Sequence, residues 1–177
     1  GTPGYVYGFN VGAEFKGFDL NLFFNGQGDV QIANMLNATM NAMKFHNGPG
    51  IVIVNKALLN SWHGEGTSNT LPRNSYDAPY SNRFFASDYI ENGAFLRLRN
   101  VQLGYTLPKS LLSHLNISGL RFYVSAQNIF TITKYKGIDP ELYISNNQLG
   151  DGDKAAGIDW GTYPSASTYT FGINVNF

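Results

Sequence analysis

Residues 168–177 read TYTFGINVNF, apolar and small or polar side chains alternating without a break up to an aromatic last residue. Successive side chains of a strand project to opposite faces, so Tyr169, Phe171, Ile173, Val175 and Phe177 line one side and Thr170, Gly172, Asn174 and Asn176 the other. One face is oily and the other can be wet, the dyad pattern that a membrane-spanning strand needs over about 10 residues. A soluble sandwich can end on such a strand too, so the reading depends on how often the pattern recurs.

It recurs four more times. Residues 5–15 place Tyr5, Tyr7, Phe9, Val11, Ala13 and Phe15 on one phase. Lys16 and Gly17 then predict a two-residue turn, glycine supplying the positive φ of a tight hairpin. Residues 18–27 resume the apolar phase with Phe18, Leu20, Leu22 and Phe24, Phe23 being an exception on the other. Residues 94–106 carry Leu96 and Leu98 on one phase and Val101, Leu103 and Tyr105 on the other, a slip near Arg99 and Asn100 that predicts a β-bulge. Residues 119–131 alternate again through Leu120, Phe122, Val124 and Ala126.

The stretches between are of two kinds. Lys16 and Gly17, and residues 108–118 with a helical turn expected over 109–114, are short connections. Residues 26–85 and 134–167 are long ones, beyond the roughly 15 residues of an ordinary loop. In the first, Ile32, Met35, Leu36, Met40 and Met43 recur at helical spacing, which predicts a helix over 31–45 with Asp29 as cap and the Asn47 to Gly50 stretch as its stop. The methionine stripe is read as packing. A short strand at 51–54 and a helical turn at 57–62 are also expected.

Composition agrees with a β protein in contact with lipid. Of the 177 residues, 14% are charged and 15% aromatic, with 20 glycines. The 12 basic and 12 acidic residues cancel, which argues against nucleic acid as a partner. Cysteine is absent, so disulfides, thiol nucleophiles and thiolate metal sites are excluded. No apolar run reaches the roughly 18 residues of a transmembrane helix, so a membrane reading rests on strands. The first residues, GTPG, carry no initiating Met or signal segment, and the chain is read as starting within a longer protein.

Short and long connections alternate strictly, as in outer-membrane barrels, where periplasmic turns are short and extracellular loops long. A periplasmic carboxy terminus puts both long loops outside. Five strands cannot close such a barrel, which uses even counts from about 8 upward, and an open sheet leaves unsatisfied edges in lipid. The expectation is therefore an all-β, antiparallel transmembrane barrel segment, with two long extracellular loops, one containing a short helix. It would be the last five strands of a larger barrel, plugged transporters of roughly 22 strands being one known solution.

A resemblance extends this. Residues 92–108 (NGAFLRLRNVQLGYTLP) resemble a hallmark stretch of the SusC/RagA family of TonB-dependent outer-membrane transporters. Residues 123–131 (YVSAQNIFT) and 133–141 (TKYKGIDPE) are similar to that family's penultimate strand and following loop. Residues 157–164 (GIDWGTYP) with the closing strand are similar to its terminus, and 62–73 to an extracellular-loop segment. The match covers most of 1–27 and 60–177; residues 28–59 carry no recognised motif, and the family's plug domain and TonB-contacting segment have no counterpart. The resemblance implies an outer-membrane location in a Bacteroidetes-type cell and import of nutrients such as oligosaccharides or peptides. It further implies energy supplied through TonB and a SusD-like surface lipoprotein as lid. Thr170, Gly172, Val175 and Phe177 resemble the signal read by the outer-membrane assembly machinery.

Arg97, Arg99 and Arg121 fall within expected strands, where a cation facing lipid at mid-depth costs about 2–4 kcal/mol. They are expected to face the lumen or membrane edge, against plug or substrate, or paired with carboxylates of barrel strands beyond the chain. Trp62 and Trp160 lie in the long loops as candidate platforms for sugar or partner contacts, or as packing anchors. His46, His63 and His114 lack metal-binding spacing. Asp139, Glu141, Asp151, Asp153 and Asp159 enrich one loop in carboxylates without the ordered oxygen ligands of a calcium site. No metal, cofactor or catalytic constellation is expected, and the chain is read as no enzyme. The competing readings are a soluble β-sandwich carbohydrate-binding module and, less well supported for want of a carboxylate pair, a glycoside hydrolase fragment.

Overall fold

The computed structural model describes residues 1–41, 56–68, 73, 86–112, 117–142 and 156–177. In chain order the strands are β1 (Tyr5–Phe15), β2 (Phe18–Gly28), β3 (Gln31–Asn34), β4 (Ile90–Asn92), β5 (Phe95–Thr106), β6 (Gly119–Thr133), β7 (Ile158–Asp159) and β8 (Thr168–Asn176). They fall into two compact units, each taken by itself.

The first unit, Pro3–Asp29, Ala94–Lys134 and Pro164–Phe177, is a five-stranded antiparallel sheet in the order β1-β2-β5-β6-β8. Its strands lie on the alternating stretches of the sequence. Lys16 and Gly17 close β1 onto β2 with φ of 49° and 87°. Both central residues are thus left-handed, which is the type I′ geometry whose twist suits a hairpin. At the same end, a helical turn (Lys109–Leu112) stands in the β5–β6 connection.

Register carries the alternation across the sheet. Ala13, Leu20, Leu103, Val124 and Phe171 form one cross-strand row, and Phe15, Phe18, Tyr105, Phe122 and Ile173 another. Phe9 stacks on Phe24 at 4.9 Å between ring centroids, and Phe18 meets Tyr105 at 4.5 Å. Every member of these rows points to one side. The intervening rows, such as Gly12, Asn21, Gln102, Ser125 and Thr170, point to the other. Phe23 lies on this polar side with its ring over Gly8.

The oily side is not a core. Phe171 is 81% and Ile173 61% exposed, with Tyr169 and Val175 exposed as well. A sandwich buries one face of each sheet against its partner, so this exposure counts against the soluble-module reading.

The bulge falls where the phase slips. Phe23 opposes Asn100 but Phe24 opposes Leu98, leaving Arg99 as an extra residue against β2. Against β6 the shift recurs between Leu98 and Asn100, beside Asn128, whose φ is 52°.

The second unit, Gly1–Thr2, Val30–Gly93 and Tyr135–Tyr163, holds a three-stranded sheet in the order β4-β3-β7, with β3 antiparallel to β4 and parallel to β7. Here one expectation fails. Residues 31–34 form β3, and the helix covers only Met35–Met40, capped by Asn34 rather than Asp29. Ile32 and Met35 satisfy helical spacing, but pairing with two other strands overrides so weak a local preference. Met35 packs with Ala38 and Tyr89 in a small buried cluster. A 3₁₀ turn, Lys56–Asn60, overlaps the helical turn expected at 57–62. Met43, His46, His114, Asp151, Asp153, the stop at 47–50 and the strand expected at 51–54 lie outside the described residues.

Candidate functional site

Arg97 and Arg121 lie on the polar side of the five-stranded sheet, and Arg99 is the residue at the bulge. Arg121 on β6 reaches across β5 to Asp19 on β2, its Nε donating to Oδ2 at 2.9 Å and its Nη2 to Oδ1. Register explains the reach: Asp19 and Tyr123 flank Gly104, and a side chain at 104 would occupy the space where carboxylate and guanidinium meet. The guanidinium carbon also lies 5.3 Å from the Tyr123 ring centroid. Two-point Arg–carboxylate pairing is the strong form of a charge-assisted hydrogen bond. Arg121 therefore finds its carboxylate inside this chain, not in strands beyond it. Replacing Gly104 by Val should break this pair by steric exclusion, and Asp19→Asn should weaken it. Each should cost about 1–3 kcal/mol, seen in the full-length protein as a lower heat-modification midpoint on semi-native gels.

Arg97, 3% exposed, donates from Nε to Thr131 Oγ1 at 2.7 Å and from Nη1 to Ser165 Oγ at 3.2 Å. Arg99 donates to Asn128 Oδ1 at 3.1 Å. Asn128 in turn donates from Nδ2 to the carbonyl of Ala166 and accepts from Ser167 Oγ at its own carbonyl. Arg97, Arg99 and the bulge thus hold the segment that leads into β8. Thr170 and Gly172 lie on the polar side opposite Ser125 and Tyr123, while Val175 lies on the oily side opposite Leu120. Phe177 follows the last strand residue and is 94% exposed.

The second unit contains a polar network that the sequence did not reveal. Asp159 is fully buried, and its carboxylate accepts from the Tyr135 hydroxyl at 2.6 Å and from the backbone N–H groups of Gly161 and Thr162, both at 2.8 Å. Burial first, and then the bond to Asp159, push the Tyr135 hydroxyl above the usual tyrosine range, so it stays a donor. That contribution to stability is complete below the ordinary tyrosine pKa of about 10 and is lost only as pH rises through the raised value. Asn34, paired in register with Asp159, accepts from the Asn37 N–H at the helix start and donates to Glu91 at 3.1 Å. The other oxygen of Glu91 accepts from the Lys136 N–H at 2.8 Å. Tyr135 and Asp159 stand in two of the stretches that carry the family resemblance, the one signal that pointed toward them.

Trp62 and Trp160 are exposed, and the Nδ1 of His63 lies 2.9 Å from the Ser61 carbonyl. Asp139 is buried and accepts from the Glu141 N–H at 2.9 Å. Among the described residues, no group of three or more acidic or histidine side chains is gathered to hold a metal.

An antiparallel sheet of spanning length, oily on one exposed face and polar on the other, with long connections at one end and short ones at the other, defines a β-barrel wall segment. No family model matches the chain. It is 34% identical to TonB-dependent receptor P3 of Formosa agariphila over 176 residues, 99% of this chain and 16% of that protein. TonB-dependent receptor SusC of Bacteroides thetaiotaomicron is 36% identical over 96 residues, 52% of this chain and 8% of that one. Among solved structures, the RagAB peptide importer in its closed-closed state superposes with a TM-score of 0.74 at 33% identity, covering 99% of this chain and 17% of that one. Its open-open state gives 0.73 at 32% identity, with the same coverage. The chain thus spans about a sixth of the length of the relatives and structures that it matches along nearly all its residues. These matches place it with the TonB-dependent receptors of the SusC/RagA kind.

Proposed function

We propose that the chain is the carboxy-terminal part of the barrel of a SusC-like TonB-dependent transporter in the outer membrane. On this reading it supplies five wall strands of a roughly 22-stranded barrel, two outer loops and the assembly signal of Thr170, Gly172, Val175 and Phe177. The whole protein would import oligosaccharides or peptides, driven through TonB, with a SusD-like lipoprotein as partner and no catalytic step of its own. Arg97, Arg99 and Arg121 belong to the lumen side. Trp62 and Trp160 stand where the outer loops can meet substrate or lid.

One observation carries this reading. The two oily rows run across all five strands, and most of their side chains, from Ala13 and Phe15 to Phe171 and Ile173, are exposed. Such a surface is costly in water and favourable in hydrocarbon. Strands β1 and β8 each have only one partner among the described residues, as a wall segment needs where neighbouring strands continue the barrel. The test uses the full-length protein in bilayers containing brominated lipid. Fluorophores attached through single cysteines at Leu22 and Val124 should be quenched, and those at Asn21 and Ser125 should not. Equal quenching of both sets would sink the facing assignment and the barrel reading with it.

A further inference from the structure

We infer that the described parts of the two long connections form one interlocked body, with Tyr135 and Asp159 in the second as the positioning pair that fixes the start of the helix in the first. The inference goes beyond the transport reading and does not depend on what is transported.

Partners drawn from both connections form a closed circuit. Tyr135, just past the end of β6, donates to Asp159 on β7. Asp159 is held beside Asn34 by the parallel pairing of β7 with β3, in which the Ala33 N–H donates to the Gly157 carbonyl at 2.8 Å. Asn34 bonds Glu91 on β4, and Glu91 returns to the backbone of Lys136, the neighbour of Tyr135. Residues 31–34 and 90–92 belong to the first connection, which runs from β2 to β5, and residues 135–136 and 157–162 to the second, from β6 to β8. Neither connection completes the circuit from its own residues.

The chemistry of the buried members explains why the circuit is tight. A fully buried carboxylate is costly unless donors surround it, and Asp159 receives three. Only two of them come from its own turn; the third is the Tyr135 hydroxyl. Asn34 spends its carbonyl oxygen on the first turn of the helix and its amide on Glu91, so a shift of β7 against β3 disturbs both. Displacement of one connection by a ligand is therefore transmitted to the other through named bonds rather than through general stiffness.

Hydrogen–deuterium exchange on the full-length protein in detergent tests this. In the unmodified protein, the amides of Ala33 and Asn37 in the first connection and those of Gly161 and Thr162 in the second should share one protection level, because they open together. Distinct protection in the two sets would overturn the inference. Tyr135→Phe removes a single hydroxyl and should speed exchange at Asn37 about tenfold, the effect of losing one hydrogen bond to a charged group, while heat modification of the barrel stays unchanged. Unaltered exchange at Asn37 in that variant would equally overturn it. If Tyr135→Phe does not yield a folded barrel, the comparison within the unmodified protein decides.

Discussion

Arginine at Phe171 or Val175 should sharply reduce the amount of full-length protein assembled in the outer membrane, while arginine at Asn174 should be tolerated. All three positions lie on β8, within five residues of one another. Their facing differs: Phe171 opposes Val124 and Val175 opposes Leu120 on the oily side, whereas Asn174 opposes Arg121 on the polar side. A cation on the lipid face costs about 2–4 kcal/mol at the midplane and less near the interfaces. Phe171 should therefore suffer more than Val175, which stands closer to the strand end. At Asn174 a new cation meets water instead of hydrocarbon, and its drawback is repulsion from Arg121, whose charge is already engaged by Asp19. The measurement is the heat-modifiable, protease-resistant fraction in outer-membrane preparations. Equal loss from Asn174→Arg would contradict the assignment of faces.

Deleting Phe177 should lower the surface level of the full-length protein several-fold while leaving the thermal resistance of assembled molecules unchanged. The ring lies beyond the end of β8 and is almost wholly exposed. A side chain with so little area buried against this sheet contributes little to holding the sheet together. A deficit in surface protein would thus come from recognition during insertion, not from a weakened sheet. Surface immunolabelling and the heat-modification midpoint, read together, separate the two. Normal surface levels would argue against an assembly role for this residue.

The five wall strands were legible because their two faces meet different surroundings, and alternation records that difference residue by residue. Even the slip at Arg99 showed, since Leu98 and Val101 cannot share a face at an odd separation without an inserted residue. The loop module was not legible. Residues 31–34 carry Ile32 and Asn34 inward, two positions that a four-residue strand shares with a helix entry, and the partners that decide between them lie far along the chain. Asp159 looked like one carboxylate among several in an acidic loop; only the approach of Tyr135 distinguishes it. Arg121 was expected to face plug or substrate, or to pair with a carboxylate of strands beyond the chain, whereas it pairs with Asp19 within it. Its partner was hidden because the pair spans two strands over Gly104, a spacing that no local pattern encodes.

The extra residue at Arg99 determines more than a local bend. Side-chain direction in a strand has a period of two, so the same residues from Phe95 to Thr106 paired without a bulge would put Leu98 and Val101, three apart, on opposite faces. Either Leu96 and Leu98 would turn inward and push Arg97 out among acyl chains, or Val101, Leu103 and Tyr105 would surrender their place to Gln102. A single bulge lets both halves of the same strand keep their apolar side chains on one face, with the guanidinium of Arg97 on the other.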